Sequence, residues 1–403
     1  MNSAASQEIS DAVQDDAHRA QRSDFACAQP ASSPQAASQK AALNTQAQPI
    51  SHRALVQEMN TYAVSSTWRG VALFLGDFGL YWAGILGVIF LPDLWMKIAA
   101  GCLSGIKMSG LATLAHDAAH GSLTRSAGLN WLLAVLSFMP CLFNYRLWIY
   151  DHHMLHHPNV NSDHPDSYLP LSKAQFDALP GWKQWRERFY RSHGFGLSFG
   201  IYYTFHRWWQ VKFFPRVFLP QRYRKSAWRH FAFLLTYLTG LFGLLLSAPL
   251  YAPVDALTAV MLGFVLPFYL WMSLMAFTLY TQHTDPRLPW FQQPVEREEF
   301  ARQEYLSVDL VFPRLFSIAV HNVYHHAVHH VHPRVPCYRY AAAQQRMNEL
   351  LGERAVVSRF SLRWLRDTMR QCKLYDFDRH CWTDFEGNPT TAVATIYQRA
   401  SGS

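Results

Sequence analysis

Four long apolar stretches constrain the fold of this chain more than any other feature. Residues 70–91 and 94–115 hold three charged side chains between them, and residues 231–254 and 256–284 hold none. A helix needs about 20 apolar residues to cross a bilayer, and short links join these stretches in pairs. We therefore predict an all-α integral membrane protein with four transmembrane helices in two hairpins. The predicted spans are about 70–91, 94–115, 231–254 and 256–281.

The distribution of positive charge orients these spans. The hairpin tips at 92–93 and 251–255 contain no Lys or Arg, whereas residues 171–230 contain twelve, against two acidic residues. Loops rich in Lys and Arg stay in the cytoplasm. Both hairpins are therefore expected to return to the cytoplasmic side of a membrane, which we take to be a bacterial inner membrane. The net charge of +8 is explained in this way without a nucleic-acid partner.

Composition divides the rest of the chain. Residues 1–50, rich in Ala, Gln and Ser, are expected to form a disordered tail. Residues 51–345 would form the membrane domain and residues 346–403 a cytoplasmic C-terminal segment. Residues 126–145 also lack charge, but polar and Pro residues interrupt them, so a fifth span and an interfacial or re-entrant helix are both open from hydropathy alone.

Two charged residues fall inside the first two spans. Asp77 and Lys107 lie at similar depths from the cytoplasmic end, at about 1.5 Å per helical residue. An unpaired charge in a membrane is expensive, so we predict an ion pair between them. The alternative is that each side chain reaches the interface or faces a polar cavity.

Three histidine clusters stand at the ends of apolar segments. The first is HDAAH, whose His116 and His120 share a helix face at i and i+4. The others, HHMLHH at 152–157 and AVHNVYHHAVHHVHP at 319–333, both contain HxxHH. A lone histidine is usually just a hydrogen-bonded side chain, but three such clusters favour a metal site. In the third cluster, a rival helical stripe consists of His321, His325, His329 and His332.

The number of histidines bears on the metal. Imidazole binds zinc, copper, iron and nickel. HDAAH supplies two histidines and each HxxHH supplies three, which makes eight. Catalytic zinc usually takes three protein ligands, so eight histidines fit two metals with about four each. An all-nitrogen pair of irons would imply oxygen chemistry. A metal transporter or sensor holding zinc or copper is the alternative of a different class.

The motifs HDAAHGS, HHMLHHPN followed by HPDS, and HAVHHVHPRVPCY resemble the three histidine boxes of integral-membrane fatty acid desaturases. The resemblance covers about residues 71–340. It implies a helical cytoplasmic cap that carries two iron ions above the membrane helices. A ninth ligand at the end of the fourth span resembles His283 in TQHTDP. The implied ligands are His116, His120, His153, His156, His157, His283, His326, His329 and His330.

The resemblance also bears on the surroundings of the site. All boxes must lie on one side of the membrane, so residues 126–145 are expected to form an interfacial or re-entrant helix. Ligand imidazoles are usually oriented through their other ring nitrogen. The nearby candidates for that role are Asp117, Asp151 and Asn322, with Asp163 and Asp166 as further ones.

The implied function is an O₂-dependent di-iron oxidoreductase that desaturates a long fatty acyl chain. Hydroxylases, carotenoid ketolases and alkene-forming decarboxylases share the boxes, so these reactions are alternatives, and the head group of the substrate is open. No side chain beyond the metal ligands is expected to be catalytic. The chain has no GxGxxG motif and no cysteine set for an iron–sulfur cluster, so electrons are expected from an external carrier such as a ferredoxin. The basic residues within 222–229 could dock such a carrier or anchor to lipid.

Overall fold

A computed structural model of the protein describes residues 50–162, 168–191, 197–216, 219–293 and 305–394. These residues are mostly helical, which confirms the predicted all-α class. The predicted disordered tail lies, except for residue 50, outside the described residues. The helices are α1 (His52–Asn60), α2 (Thr67–Phe90), α3 (Leu94–Ala119), α4 (Ala127–Phe138), α5 (Tyr145–Ile149), α6 (Lys173–Asp177), α7 (Gly181–Tyr190), α8 (Leu197–Tyr202), α9 (Gln221–Ser247), α10 (Ala256–Val260), α11 (Leu266–His283), α12 (Arg314–Ala319), α13 (Ala327–Val331), α14 (Cys337–Leu351) and α15 (Leu362–Gln371).

Wider helical turns and short strands complete the architecture. A π-helical segment follows α5 at Tyr150–His156, another follows α8 at Tyr203–Phe213, and Met261–Val265 joins α10 to α11. The strands form two-stranded pairs. β1 (Asp309–Val311) is parallel to β2 (Val357–Arg359), and β3 (Leu374–Asp376) is antiparallel to β4 (Cys381–Thr383).

Four helical segments are long and apolar enough to cross a membrane, as predicted: Thr67–Phe90, Leu94–Ala119, Gln221–Leu250 and Ala256–His283. The third begins ten residues before the predicted start at 231, because its first turns carry exposed basic side chains that the apolar pattern excluded. Helix α3 packs against α2, α4 and α11. Gly101 allows a close approach, since a Cβ there would lie 2.5 Å from the carbonyl oxygen of Leu262.

The predicted ion pair between the first two spans is confirmed. Lys107 Nζ lies 2.8 Å from Asp77 Oδ1. The second carboxylate oxygen, Oδ2, lies 2.7 Å from Nε2 of His321. Asp77 approaches α3 at Gly110, where a Cβ would lie only 2.0 Å from Oδ2. A histidine of the third cluster is thus bonded to a carboxylate inside the membrane helices.

The ambiguous segment 126–145 does not contain a full span. Its helix α4 has 12 residues, or about 18 Å at 1.5 Å per residue, against about 30 Å for the hydrocarbon core of a bilayer. Pro140 and the turns around it end the apolar run. Asn144 then caps α5, because its side-chain oxygen accepts from the backbone N–H groups of Arg146 and Leu147. This cap positions the start of the second histidine cluster.

The C-terminal segment is built into the same body as the membrane domain. The predicted boundary at residue 345 falls inside α14, and β2 pairs with β1 from before that boundary. Buried residues of α14, including Ala343 and Met347, belong to the same apolar core as those of α1 and α3. Because this face of α14 is covered by the membrane domain, the chain folds continuously through residue 345.

Candidate metal centre

The first histidine cluster closes helix α3. His116 lies in the last turn and His120 is the C-cap, so both imidazoles leave the same end of this helix. Their ring centroids are 4.8 Å apart. The i, i+4 spacing of HDAAH therefore has the expected consequence: two imidazoles lie side by side at the end of a membrane span.

The second cluster lies in the π-helical segment Tyr150–His156, except for His157, which begins the 3₁₀ turn that follows. A π-helix pairs residue i with i+5, and such segments often occur at functional sites. The wider turn brings His152, rather than His153, over His157, with 3.2 Å between the two Nε2 atoms. The ring of Trp148 stacks on His152 at 4.4 Å between centroids and supports this orientation.

The third cluster is not one continuous helix. Helix α12 ends at Ala319 and α13 begins at Ala327, with turns between them. The rival stripe therefore does not form. His321 bonds Asp77, and Nδ1 of His325 lies 2.6 Å from Asp309 Oδ1. His326, His329 and His330 instead point into the common histidine cluster and are all buried.

The clusters assemble into two groups, in each of which one donor atom per residue lies within 4.8 Å of all the others. The first group combines the first, second and third clusters. The second group combines the second and third clusters with His283 at the end of α11. The members are His116, His120, His152 and His329 in the first group, and His156, His283, His326 and His330 in the second.

Seven of the nine histidines implied by the resemblance fall in these groups. His157 lies between the groups, with its ring 4.9 Å from His329 and 4.9 Å from His330. The ring of His153 lies 4.1 Å from that of His120, outside both groups. His152 is the member that sequence reasoning missed. The sequence carried no local signal for it, because the π-helical turn that places His152 beside the first cluster is not visible in the histidine spacing.

Burial favours the neutral form of seven of the clustered histidines. Burial, followed by the neighbouring histidines, lowers the pKa of His120 and His329 well below the usual value. The same causes act on His152, His157, His326 and His330. Burial, then His116 and Lys212, lowers the pKa of His153 to about 4. A metal binds the neutral imidazole, so these seven histidines present donors in the required protonation state at neutral pH.

The donor geometry fits metal binding. Nε2 of His329 lies 3.1 Å from Nε2 of His157, and Nε2 of His330 lies 2.9 Å from Nε2 of His326. Two nitrogens bound to one metal at about 2.1 Å, with an angle of 90–110°, are separated by about 3.0–3.4 Å. Nε2 of His120 is buried and has no hydrogen-bond partner among the described residues. A buried donor of this kind is expected where a ligand or ion completes the bonding.

The residues predicted to orient the ligand imidazoles have different bonding partners. Asp117 is fully buried, and its Oδ1 lies 3.0 Å from Nδ1 of His116. Asp151 forms ion pairs with Arg207 and Lys212 of the π-helical segment Tyr203–Phe213. Asn322 lies in the turn before the third box, with a φ of +59°. Asp163 and Asp166 lie outside the described residues.

A cavity of about 980 Å³, including its open mouth, reaches both histidine groups. Ligand pockets are concave and mostly apolar. Helices α3 and α11 form two of its walls, with Ala112, Leu274 and Met275 among the apolar side chains. Histidines of both groups also line it: His116, His152, His156 and His326. The ion-paired Asp151, Arg207 and Lys212 form a polar part of the wall.

Comparison with known protein families assigns this chain to a family. The family described as fatty acid desaturase matches residues 93–361, which contain all three histidine boxes and His283. This chain belongs to the fatty acid desaturase family. The match ends beyond α14, so the family region includes both the membrane helices and the segment that carries the third box.

Curated desaturases are similar over most of this chain. It is 28% identical to "Omega-6 fatty acid desaturase, chloroplastic" of Spinacia oleracea, over 78% of this chain and 66% of that protein. It is 25% identical to "sn-1 oleoyl-lipid 12-desaturase" of Synechocystis sp., over 80% of this chain and 88% of that protein. It is 26% identical to "sn-1 acyl-lipid omega-3 desaturase (ferredoxin)" of the same organism, over 72% of this chain and 77% of that protein.

Proposed function

We propose that this protein is an O₂-dependent di-iron oxidoreductase that desaturates a long fatty acyl chain. One observation carries the proposal: a single apolar cavity between two membrane-spanning helices is lined by histidines of both candidate metal groups. A transporter or sensor would need a polar path for the ion, whereas most of the side chains that line this cavity are apolar or aromatic. Membership of the desaturase family supports the same conclusion.

The proposed ligands are the eight histidines of the two groups, with His157 between them as a further donor to either metal. Removing two hydrogens from an unactivated alkyl chain needs an O₂-activating metal, because no side chain is a strong enough oxidant, and two irons would supply that chemistry. The chain's own residues would hold the ions, position the alkyl chain and exclude water. The apolar walls formed by α3 and α11 are suited to the last two tasks.

The proposed substrate is an acyl chain that enters from the bilayer as part of a lipid. Two relatives carry "oleoyl-lipid" and "acyl-lipid" in their names, which supports a lipid-linked chain rather than a free acid. Desaturation yields two electrons, and reducing O₂ to two waters needs two more. An external carrier would provide them, and one relative is named for ferredoxin.

We further propose that the metal centre lies on the cytoplasmic side of a bacterial inner membrane, in the helical cap above the two hairpins. The exposed basic residues at the start of α9 support this orientation, because positive segments stay in the cytoplasm. These residues would lie near anionic lipid. The same surface is also available to an acidic electron carrier.

The function can be tested by expressing the protein in a host that lacks the corresponding desaturase. Fatty acids are profiled by gas chromatography with mass spectrometry, and purified protein is assayed for iron and O₂ uptake. A new double bond that disappears with His329→Ala supports the proposal. A hydroxy acid or 1-alkene would replace desaturation with one of the alternative reactions. Zinc or copper without O₂ uptake would contradict an oxidoreductase.

A further inference from the structure

A buried tyrosine outside the three boxes contacts two of them. Tyr340 lies in the first turns of α14, and its side chain is 2% exposed. Its hydroxyl lies 2.7 Å from Asp117 Oδ1, in the first box. The same oxygen lies 3.2 Å from Nδ1 of His329, in the third box. One side chain therefore joins the two boxes that the sequence separates by more than 200 residues.

The chemistry of these groups determines the direction of each hydrogen bond. An ionised carboxylate only accepts hydrogen bonds, so the Tyr340 hydroxyl donates to Asp117. The hydroxyl oxygen then accepts the Nδ1–H of His329. Burial, with Asp117 beside it, raises the pKa of Tyr340 well above its usual value, so the hydroxyl keeps its proton.

The same carboxylate acts on the first box. Asp117 Oδ1 also accepts from Nδ1 of His116, at 3.0 Å. With Nδ1 protonated, the free lone pair of each imidazole is on Nε2. Nε2 of His329 faces the cluster, 3.1 Å from Nε2 of His157. His116 and His329 are both members of the first group, with ring centroids 4.2 Å apart.

The position of Asp117 is itself held by α14. The backbone N–H of Cys337, in the first turn of this helix, donates to Asp117 Oδ2. Helix N-termini leave N–H groups without intrahelical partners and favour a negative charge. Pro336, the N-cap residue, makes no side-chain capping bond. The carboxylate of the first box thus serves as the missing cap for the helix after the third box.

We infer that Tyr340 is a positioning residue of the metal centre, whose hydroxyl, acting with Asp117, holds His116 and His329 in the tautomer that presents Nε2 to the metal. This inference rests on one part of the proposed function, namely that the first histidine group binds a metal. Without the hydroxyl, Nδ1–H of His329 loses its acceptor, and the tautomer that protonates Nε2 becomes accessible. That tautomer has no lone pair on Nε2 to offer.

Metal binding by purified variants tests the inference, and Tyr338 supplies a matched control. Tyr338 lies two residues earlier in α14, and its hydroxyl bonds the backbone of Ser66 and Leu123. Iron(II) and cobalt(II) affinities are measured for the wild-type protein, Tyr340→Phe and Tyr338→Phe. Cobalt(II) also gives an absorption spectrum that reports its ligands. We expect about 10–100-fold weaker binding and a changed spectrum in Tyr340→Phe only.

Two results would overturn the inference. One is an affinity of Tyr340→Phe within about twofold of wild type. The other is an equal loss in Tyr338→Phe, which would indicate general damage to α14. Melting temperatures of the metal-free proteins separate a folding defect from a binding defect. Because no substrate is present, the outcome does not depend on desaturation, and a wild-type protein without metal affinity would instead contradict the proposed function.

Discussion

The network of Asp77, Lys107 and His321 makes a quantitative prediction about stability. The Asp77 and Lys107 side chains are only 6% and 13% exposed, and they lie 2.8 Å apart. Removing one partner of a buried pair leaves a charge without compensation, at a cost of about 3–5 kcal/mol. After Asp77→Asn the remaining Lys107 retains some exposure, and after Lys107→Met the remaining Asp77 keeps its hydrogen bond to His321, so both losses lie at the lower end of this range. We expect Asp77→Asn and Lys107→Met each to lower the free energy of unfolding by about 3 kcal/mol.

The double variant distinguishes a pair from two independent sites. When both charges are removed, no buried charge is left, so the loss should be close to that of one single variant. The corresponding coupling energy is about 2–3 kcal/mol. The free energy of unfolding can be measured in mixed micelles by titration with a denaturing detergent, followed by tryptophan fluorescence.

Lys97 provides the matched control. It lies in the same helix α3 and is buried, but its amine bonds the carbonyl oxygens of Val88 and Ile89. Lys97→Met should therefore be additive with Asp77→Asn. If the Asp77 and Lys107 variants were additive as well, the reasoning that these charges stabilise the helices as a pair would be refuted.

Three further predictions concern the site. The His152→Ala protein should contain less iron, measured by plasma mass spectrometry, than the His153→Ala protein, because His152 belongs to a metal group and His153 does not. The reverse order would favour His153 as the ligand, as the HxxHH motif implies. Met275→Trp should fill the cavity and reduce desaturation at unchanged iron content. The control Leu246→Trp, at an exposed position, should leave desaturation unchanged. Equal activities of the two variants would place the alkyl chain elsewhere. Because the cluster histidines have lowered pKa values when folded, the unfolded chain binds more protons below about pH 6.5. The melting temperature of the metal-free protein should therefore fall as pH decreases from 7 to 5, and a flat profile would argue against buried neutral imidazoles.

The sequence was sufficient to predict the membrane helices and the existence of a histidine site. An apolar segment in lipid must satisfy its backbone hydrogen bonds within itself, so each span can be recognised without knowing its neighbours. The ion pair of Asp77 with Lys107 could also be anticipated, since a buried charge needs a partner and the two residues lie at matching depths. His116 and His120 paired as expected because their spacing is local to one helix.

Tertiary structure decided which side chains meet. The choice of His152 over His153 depends on a π-helical turn after α5, which no i, i+4 pattern distinguishes from an α-helix. The bond of His321 to Asp77 and the link from Tyr340 to Asp117 join residues more than 200 positions apart. Such contacts depend on the relative register of packed helices. Sequence pattern determines what each segment must bury, whereas packing determines against which partner it is buried.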